Sequence, residues 1–467
     1  MRTIIVLLAV LSFLFVGCPG KGAAGSVEGV TENWMVTYLD SAKIGYSVSR
    51  VGHSRDGYRF ENLMTMNVAM AGKSQDVHYS SVVETNLDLV MQAFDFTFQS
   101  KERSLTAAGA VQGDKIVVRS DGGESRAIAL EGPVHPMSAL GQLVMSRNPA
   151  ADSVYDFNMF DVTVMSAVPV QATVLGWEKV HLGEKEVTGL KIKTKVMKVE
   201  MTSWLDSAGM TLQELSPPRM RSVRTTPKEA VASVTGQGQL DLLRMFRVPV
   251  DAVIPDPGDV REARIQVDGV DATDLEADEV GQRVVSQSPI VVETAVPSPP
   301  ETVSLPISGQ AEFLKPTLTV QCDNPEIRAK ALEAVGELDD AVAVSRKLTS
   351  WVFAALEKEP TASFPSAIDV LRNMEGDCNE HAVFFAALAR SLGIPTKIAV
   401  GLVYMDGAFY YHAWNEVFLD KWIPIDATFG EFPAGALRLR LSEGELSEQT
   451  QILSVVGGIK LRILSYE

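Results

Sequence analysis

The residues best suited to chemistry begin with a cysteine in the stretch "GDCNEHAVFF", where Cys378 stands at the predicted start of a helix. Asp377 and Glu380 have the spacing of a capping box, which predicts that the helix begins at this point. Unpaired amides and the helix dipole favour a thiolate there, whereas the two carboxylates oppose it. Cys378 is therefore a candidate nucleophile that needs a base.

Two histidines could supply that base. His381 lies one turn beyond Cys378 on the same helix, and we interpret it as packing or support, because a base usually comes from another element. His412 lies in "GAFYYHAWNEVFL", a predicted strand that follows the tight Asp406-Gly407 turn. The next strand, "KWIPIDATFG", contributes Asp426. A base and an acid on neighbouring strands could form a Cys-His-Asp triad.

The loop between these strands decides whether the base and the acid meet. A three-residue loop, Leu419-Asp420-Lys421, would pair Phe418 with Trp422 and place His412 and Asp426 on one face of the sheet. A two-residue turn would place the two side chains on opposite faces. The interpretation of a triad therefore predicts the three-residue loop.

The three residue types define a reaction by their ordinary acid-base chemistry. Cys378 would attack a carbonyl carbon, His412 would take the thiol proton and later protonate the leaving amine, and Asp426 would orient the imidazole. The backbone N–H of Cys378 could help to hold the oxyanion. Water that resolves the thioester gives hydrolysis, and an amine gives transamidation.

The two segments together resemble the core of a known family. "GDCNEHAVFFAALARSLGIPTKIAVGL" followed by "YYHAWNEVFLDKWIPIDATFG" resembles the transglutaminase-like superfamily of papain-like cysteine enzymes, over about residues 350–432. The resemblance implies the catalytic roles of Cys378, His412 and Asp426 in that order. Asn379 stands where the calcium-dependent animal enzymes have Trp, and no acidic cluster resembles their calcium site. The remaining candidates for support around the site are Asp377, Glu380, His381 and Trp414.

The elements around this core predict a multidomain chain. Residues 31–248 alternate short strands and turns, which predicts an antiparallel β-rich domain that faintly resembles the half-barrels of periplasmic lipid-carrier lipoproteins. Residues 249–310, rich in Val, Asp and Pro, predict a small β module and linker. Residues 311–467 carry helical spacing from Pro325, a second helix entered through Pro365, and then strands, which predicts an α+β domain.

The N-terminus indicates export. Residues 1–17 form a short apolar run after Arg2, and Gly17 precedes Cys18, as in a bacterial lipobox. We expect cleavage before Cys18, lipid attachment to its sulfur, and a tether over residues 18–30. The predicted location is a bacterial membrane surface facing the periplasm, with the leaflet and membrane left open.

Composition excludes several function classes. The net charge of −17, without a local basic run, disfavours nucleic-acid partners. After Cys18, only Cys322 and Cys378 remain, so a disulfide between them is an alternative to a nucleophile. Two cysteines and scattered histidines give no support for a metal site, and no cofactor is implied. The sequence does not specify the oligomeric state.

Two function hypotheses follow. The first is an envelope-anchored enzyme that acts on amide bonds of peptides or proteins, as a peptidase, amidase or transamidase. The second is a non-catalytic binding or assembly lipoprotein built on a transglutaminase-like scaffold, because most of the chain is β-rich sequence without chemical motifs.

Overall fold

The computed structural model describes residues 28–70, 73–100, 103–120, 125–197, 199–217, 219–232, 247–275, 277–359, 366–444 and 458–467. Residues 28–232 lie in one compact unit and residues 247–467 in a second. The predicted signal peptide, Cys18 and Pro365 lie outside the described residues. The domain boundaries predicted at residues 248 and 310 stay predictions.

The N-terminal unit is built, within its described residues, around one sheet of fifteen strands. The strands are β1 (Glu28–Leu39), β2 (Ala42–His53), β3 (Gly57–Met70), β4 (Lys73–Asn86), β5 (Met91–Ser100), β6 (Arg103–Gln112), β7 (Lys115–Ser120), β8 (Arg126–Ala129), β9 (His135–Pro136), β10 (Val154–Asp161), β11 (Ser166–Leu182), β12 (Lys185–Val196), β13 (Val199–Leu205), β14 (Thr211–Ser216) and β15 (Met220–Arg224). Its helices are α1 (Leu140–Ser146), preceded by a 3-10 turn at Met137–Ala139, and α2 (Pro227–Ala230).

The order of the strands confirms the predicted antiparallel β-rich region. The sheet runs β8-β7-β6-β5-β4-β3-β2-β1-β15-β14-β13-β12-β11-β10-β9, so that most neighbours in sequence are neighbours in space. The short β9 is parallel to β10, whereas β1 and β15 pair antiparallel in the middle of the order. Alternating burial explains the strands: in β5, Phe94, Phe96 and Phe98 are buried every second residue.

The C-terminal unit combines helices and two larger sheets. Its helices are α3 (Pro325–Val335), α4 (Ala341–Ala355), α5 (Ala367–Asn373) and α6 (Cys378–Ser391). Its strands are β16 (Val248–Pro249), β17 (Glu262–Asp268), β18 (Gln282–Gln287), β19 (Ile290–Ala295), β20 (Glu357–Lys358), β21 (Glu375–Gly376), β22 (Thr396–Met405), β23 (Ala408–Phe418), β24 (Trp422–Ile425), β25 (Arg438–Glu443) and β26 (Lys460–Tyr466). This is the predicted α+β arrangement.

The sheet that carries the candidate site has the order β16-β23-β22-β25, with β24 also paired to β23. β22 occupies one edge of β23 over its whole length. On the other edge β16 pairs with residues 408–409 and β24 with residues 415–418. Among the described strands, none pairs with residues 410–414 on that edge. The backbone there is open to a side chain from another element.

A second sheet, β18-β19-β17-β26, shares a hydrophobic cluster with the first. Ile265 and Val292 from this sheet belong to the same cluster as Phe409 and Leu439 from the site-bearing sheet. The Tyr404 hydroxyl adds a polar tie, because it accepts the N–H of residue 254 at 2.8 Å and donates to the carbonyl of residue 252 at 2.7 Å. Strands on both sides of residue 310 therefore stabilise one core.

One local expectation is corrected, and one feature goes beyond the sequence prediction. The helical spacing that begins at Pro325 is interrupted at Gly336, whose φ of +64° ends α3, and Asp340 caps α4 through its Oδ1 and the N–H of Ala343. The capping box predicts where helix α6 begins, but not that the helix is buried on all sides over residues 378–389, because α3, α4, α5 and β23 surround it. Within the described residues, the helices are too short or too polar to cross a bilayer.

Candidate active site

Cys378 is the first residue of α6 and its side chain is fully buried. The predicted capping box is present: the Asp377 carboxylate accepts the N–H of Asn379 at 2.9 Å, and the Glu380 carboxylate accepts the N–H of Asp377 at 3.0 Å. Gly376 makes this turn possible, since a Cβ at that position would lie 2.3 Å from the Cβ of Glu380. The capping box and Gly376 thus place the thiol at the N-terminus of α6.

The thiol reaches the open edge of β23. The backbone N–H of Ala413 donates to the Sγ of Cys378 at an N···S distance of 3.4 Å. Ala413 follows His412 directly, so this contact places the sulfur beside the strand residue that carries the imidazole. A backbone N–H on sulfur stabilises a thiolate more than a neutral thiol.

His412 and Asp426 meet as the parity of the hairpin predicts. Phe418 pairs with Trp422 across the three-residue loop, which confirms the predicted register. The Nε2 of His412 lies 2.7 Å from the Oδ2 of Asp426, with both residues buried. Asp426 itself follows the last residue of β24, and its backbone pairs with Glu431 in a tight loop.

The imidazole is held between two aromatic rings. The ring of Phe429 stacks on it with a centroid distance of 4.9 Å and an interplanar angle of 18°. The ring of Trp414 lies at 6.3 Å and 17°. Trp414, proposed from sequence as a supporting residue, is therefore in position to restrict rotation of His412, and Phe429 adds a contact that sequence reasoning missed.

Several partners besides the imidazole hold Asp426 as an anion. Its Oδ2 also accepts the Nη2 of Arg438 at 2.7 Å, and its Oδ1 accepts the N–H of Thr428 at 2.9 Å. Burial by itself would raise the pKa of Asp426, but the charges of His412 and Arg438 and their hydrogen bonds outweigh it, so the pKa is lowered. Asp426 is thus a permanent negative charge.

Arg438 is the main site residue that sequence reasoning missed. It is buried, and its Nη2 also contacts Glu431 at 2.9 Å. Its only sequence signal is the alternation in "ALRLRL", which predicts a strand but does not say that this strand lies against the loop of Asp426.

The pKa of Asp377 is shifted in the opposite direction to that of Asp426. Burial raises the pKa of Asp377 well above its ordinary value, and the charge of the neighbouring Glu380 raises it further. Burial and the charge of Glu380 thus both oppose ionisation of Asp377, the carboxyl beside the thiol. The expected opposition of these carboxylates to a thiolate is therefore weaker than the residue types alone indicate.

His381 supports the start of the helix. Its Nδ1 lies 2.7 Å from the backbone carbonyl of Asp377, and because a carbonyl can only accept, Nδ1 carries the proton. Burial is the largest of the influences on this imidazole and lowers the pKa of His381. A neutral ring that is bound to its own helix fits the predicted supporting role.

The alternative of a disulfide is wrong, since neither Cys322 nor Cys378 forms a disulfide bond. Cys322 is buried and its thiol lies 3.5 Å from the carbonyl of Leu314. Over the described ranges, no group of three or more His, Cys, Asp or Glu side chains is arranged to hold a metal ion.

Comparison with known proteins identifies the segment. The family model of the transglutaminase-like superfamily matches residues 328–427, which contain Cys378, His412 and Asp426. This match confirms the resemblance of the core segment to the transglutaminase-like superfamily, whereas the lipoprotein interpretation stays a prediction. No curated protein matches the chain.

Several solved structures show distant likeness. A candidate cysteine protease from Cytophaga hutchinsonii is 15% identical over 44% of this chain and 87% of its own, with a TM-score of 0.31. A β-barrel-like protein from Brucella abortus with a domain of unknown function is 14% identical over 42% and 95%, with a TM-score of 0.35. A candidate protease from Parabacteroides distasonis is 11% identical over 82% and 69%, with a TM-score of 0.22. These likenesses are too distant to assign an activity.

Proposed function

Because residues 328–427 belong to the transglutaminase-like superfamily, we propose that this protein is a thiol enzyme that cleaves or exchanges amide bonds in peptides or proteins. The observation that carries the proposal is the convergence of Cys378, His412 and Asp426 from a helix start and two strands. The buried His412–Asp426 contact of 2.7 Å and the Ala413 N–H on the sulfur support it.

The two nitrogens of the His412 imidazole have different partners, which supports the proposed roles of the triad residues. Asp426 engages Nε2 of His412, which leaves Nδ1 to accept the proton of Cys378. Asp426 stays ionised because Arg438 and two backbone N–H groups hold it, so it can stabilise the imidazolium that forms. The backbone N–H of Cys378, in the first turn of α6, is the proposed oxyanion donor.

The reaction proceeds in two steps. The thiolate adds to the amide carbonyl, the C–N bond breaks, and His412 gives its proton to the leaving amine, which leaves a thioester on Cys378. Water or a second amine then attacks the thioester carbonyl and releases the thiolate, while His412 takes the proton of the attacking group. The two nucleophiles distinguish a peptidase or amidase from a transamidase.

Trapping the acyl-enzyme tests this proposal. We expect a cell-envelope extract, quenched in acid, to leave an acyl mass on the peptide that contains Cys378 and none on the peptide that contains Cys322. Cys322→Ala is the matched control and should retain the adduct, whereas Cys378→Ala should lose it. An adduct that persists in Cys378→Ala would contradict a nucleophilic Cys378.

We place this enzyme in the cell envelope, anchored by a lipid on Cys18. The apolar segment of residues 3–16 followed by Gly17 and Cys18 supports this location. Labelled palmitate should enter the wild-type protein and not Cys18→Ser. A wild-type protein that takes up no label in a bacterial host would refute the anchor.

The burial of the site favours a second candidate function. Cys378 and His412 are 0% and 1% exposed, so a substrate carbonyl has no direct access to the thiol in this conformation. A non-catalytic binding or assembly lipoprotein would keep the same residues as a packed scaffold. If the Cys378→Ala variant retains the full cellular function and its stability is unchanged, the result would favour that candidate.

A further inference from the structure

A small polar cavity lies in the N-terminal unit, where the proposed chemistry has no role. Its volume is about 60 Å³, and it is lined by residues of β2, β3 and β12–β14 and of the helical segment 137–146. This volume is several times the roughly 10–15 Å³ that a cavity needs to hold one water molecule, so it has room for a small ligand. A ligand in the cavity is therefore limited to a few heavy atoms.

A buried carboxylate faces this cavity. Glu214 is 7% exposed, and its Oε2 accepts the hydroxyl of Ser203 at 2.7 Å. Its Oε1 is buried. Among the described residues, none donates a hydrogen bond to this oxygen and none forms an ion pair with it. Burial raises the pKa of Glu214 to about 7, against the hydrogen bond from Ser203. Buried charges in proteins are normally paired, so an ionised Glu214 calls for a cation.

Two further oxygens on the cavity wall are buried without a partner in the described part of the chain: Gln142 Oε1 and Ser138 Oγ. The Gln142 amide is oriented by its nitrogen, which lies 3.4 Å from the carbonyl of Ala208 and 3.4 Å from the sulfur of Met210. The three unpartnered atoms on the wall are thus a carboxylate oxygen, an amide oxygen and a hydroxyl oxygen. Each can accept a hydrogen bond.

We propose that this cavity binds a small primary amine in its ammonium form, held by Glu214 Oε1, Gln142 Oε1 and Ser138 Oγ. An ammonium head carries one positive charge and three N–H donors, which matches one carboxylate and three acceptor oxygens. A zinc-type metal ion fits less well, because Glu214 is the one His, Cys, Asp or Glu side chain among the described residues of the wall. The small volume favours an amine with a short alkyl group.

Calorimetric titration of the purified full-length protein with methylammonium chloride tests this proposal. The buffer is phosphate at pH 8, since Tris is itself a primary amine, and sodium chloride keeps the ionic strength constant. We expect saturable binding of methylammonium and none of tetramethylammonium, which has the same charge but no N–H donor. Glu214→Gln should weaken binding about 10-fold or more, because it removes a charge-assisted hydrogen bond.

Glu184→Gln is the matched control, since Glu184 is an exposed glutamate in the turn between β11 and β12 and its variant should bind as the wild type does. Ser138→Ala provides a second variant that removes one acceptor and should also weaken binding. Equal binding of the two cations, unchanged affinity in Glu214→Gln, or the absence of any methylammonium heat would overturn the proposal. The last result would mean that the cavity holds water only.

Discussion

Selective alkylation of Cys378 at low pH is the sharpest test of the proposed enzyme, because exposure and activation predict opposite results. Cys322 is 7% exposed and Cys378 is 0% exposed, so accessibility alone makes Cys322 the faster thiol. An imidazole that takes the thiol proton, together with the Ala413 N–H on the sulfur, makes Cys378 the faster one.

The magnitude follows from the thiolate fraction. An ordinary cysteine with a pKa near 8.5 is about 3% thiolate at pH 7 and about 0.1% at pH 5.5, so its alkylation slows about 30-fold. A thiolate paired with an imidazolium keeps its rate over that interval. The ratio of the rates of Cys378 and Cys322 should therefore rise about 30-fold from pH 7 to pH 5.5.

The assay is iodoacetamide labelling of the folded protein, with each cysteine followed by peptide mass spectrometry. His412→Ala is the decisive variant, because it removes the imidazole and should make the two cysteines respond equally to pH. A ratio that stays constant with pH in the wild type, or that still rises in His412→Ala, would refute the proposed pairing of thiol and imidazole.

Three further predictions concern the residues behind the triad. Asp426→Asn should lower the rate of acyl-enzyme formation by about 1000-fold or more, since a neutral amide cannot stabilise the imidazolium; stopped-flow acylation that falls less than about 10-fold would contradict this role. Arg438→Met should cost about 3–5 kcal/mol in urea unfolding because it leaves Asp426 buried without its guanidinium, whereas the exposed Arg346→Met should cost little. Burial raises the pKa of Glu416 to about 7, above its value in the unfolded chain. Protonation of this carboxyl therefore contributes about 3 kcal/mol to the free energy of unfolding at pH 4.5, and this contribution is lost as the pH rises to 8. Glu416→Gln should therefore gain stability relative to the wild type over that interval, and a pH-independent difference would argue against the buried carboxyl.

The sequence predicts the positions of site residues correctly where those positions depend on residues close together in the chain. The capping box places Cys378 at a helix start, and the alternation of strand faces brings His412 and Asp426 together, because both rules involve a few consecutive residues. It was insufficient for Arg438, whose strand pairs with β22 after a loop that no local pattern specifies. The shared core of the two C-terminal sheets is also a long-range packing result, which composition at residues 249–310 does not reveal.

The two aspartates of the site show why residue type alone does not define its charge. Asp426 and Asp377 are both fully buried, yet the pKa of Asp426 is lowered and that of Asp377 is raised. The difference lies in their neighbours: Asp426 faces the cationic Arg438 and the imidazole, whereas Asp377 faces the carboxyl of Glu380. A fixed anion thus lies behind His412, where it stabilises an imidazolium, while ionisation of the carboxyl beside Cys378 is opposed. Both effects favour a thiolate and imidazolium pair over the neutral thiol and imidazole, so the electrostatic design of the site agrees with the direction of proton transfer that the proposed reaction requires.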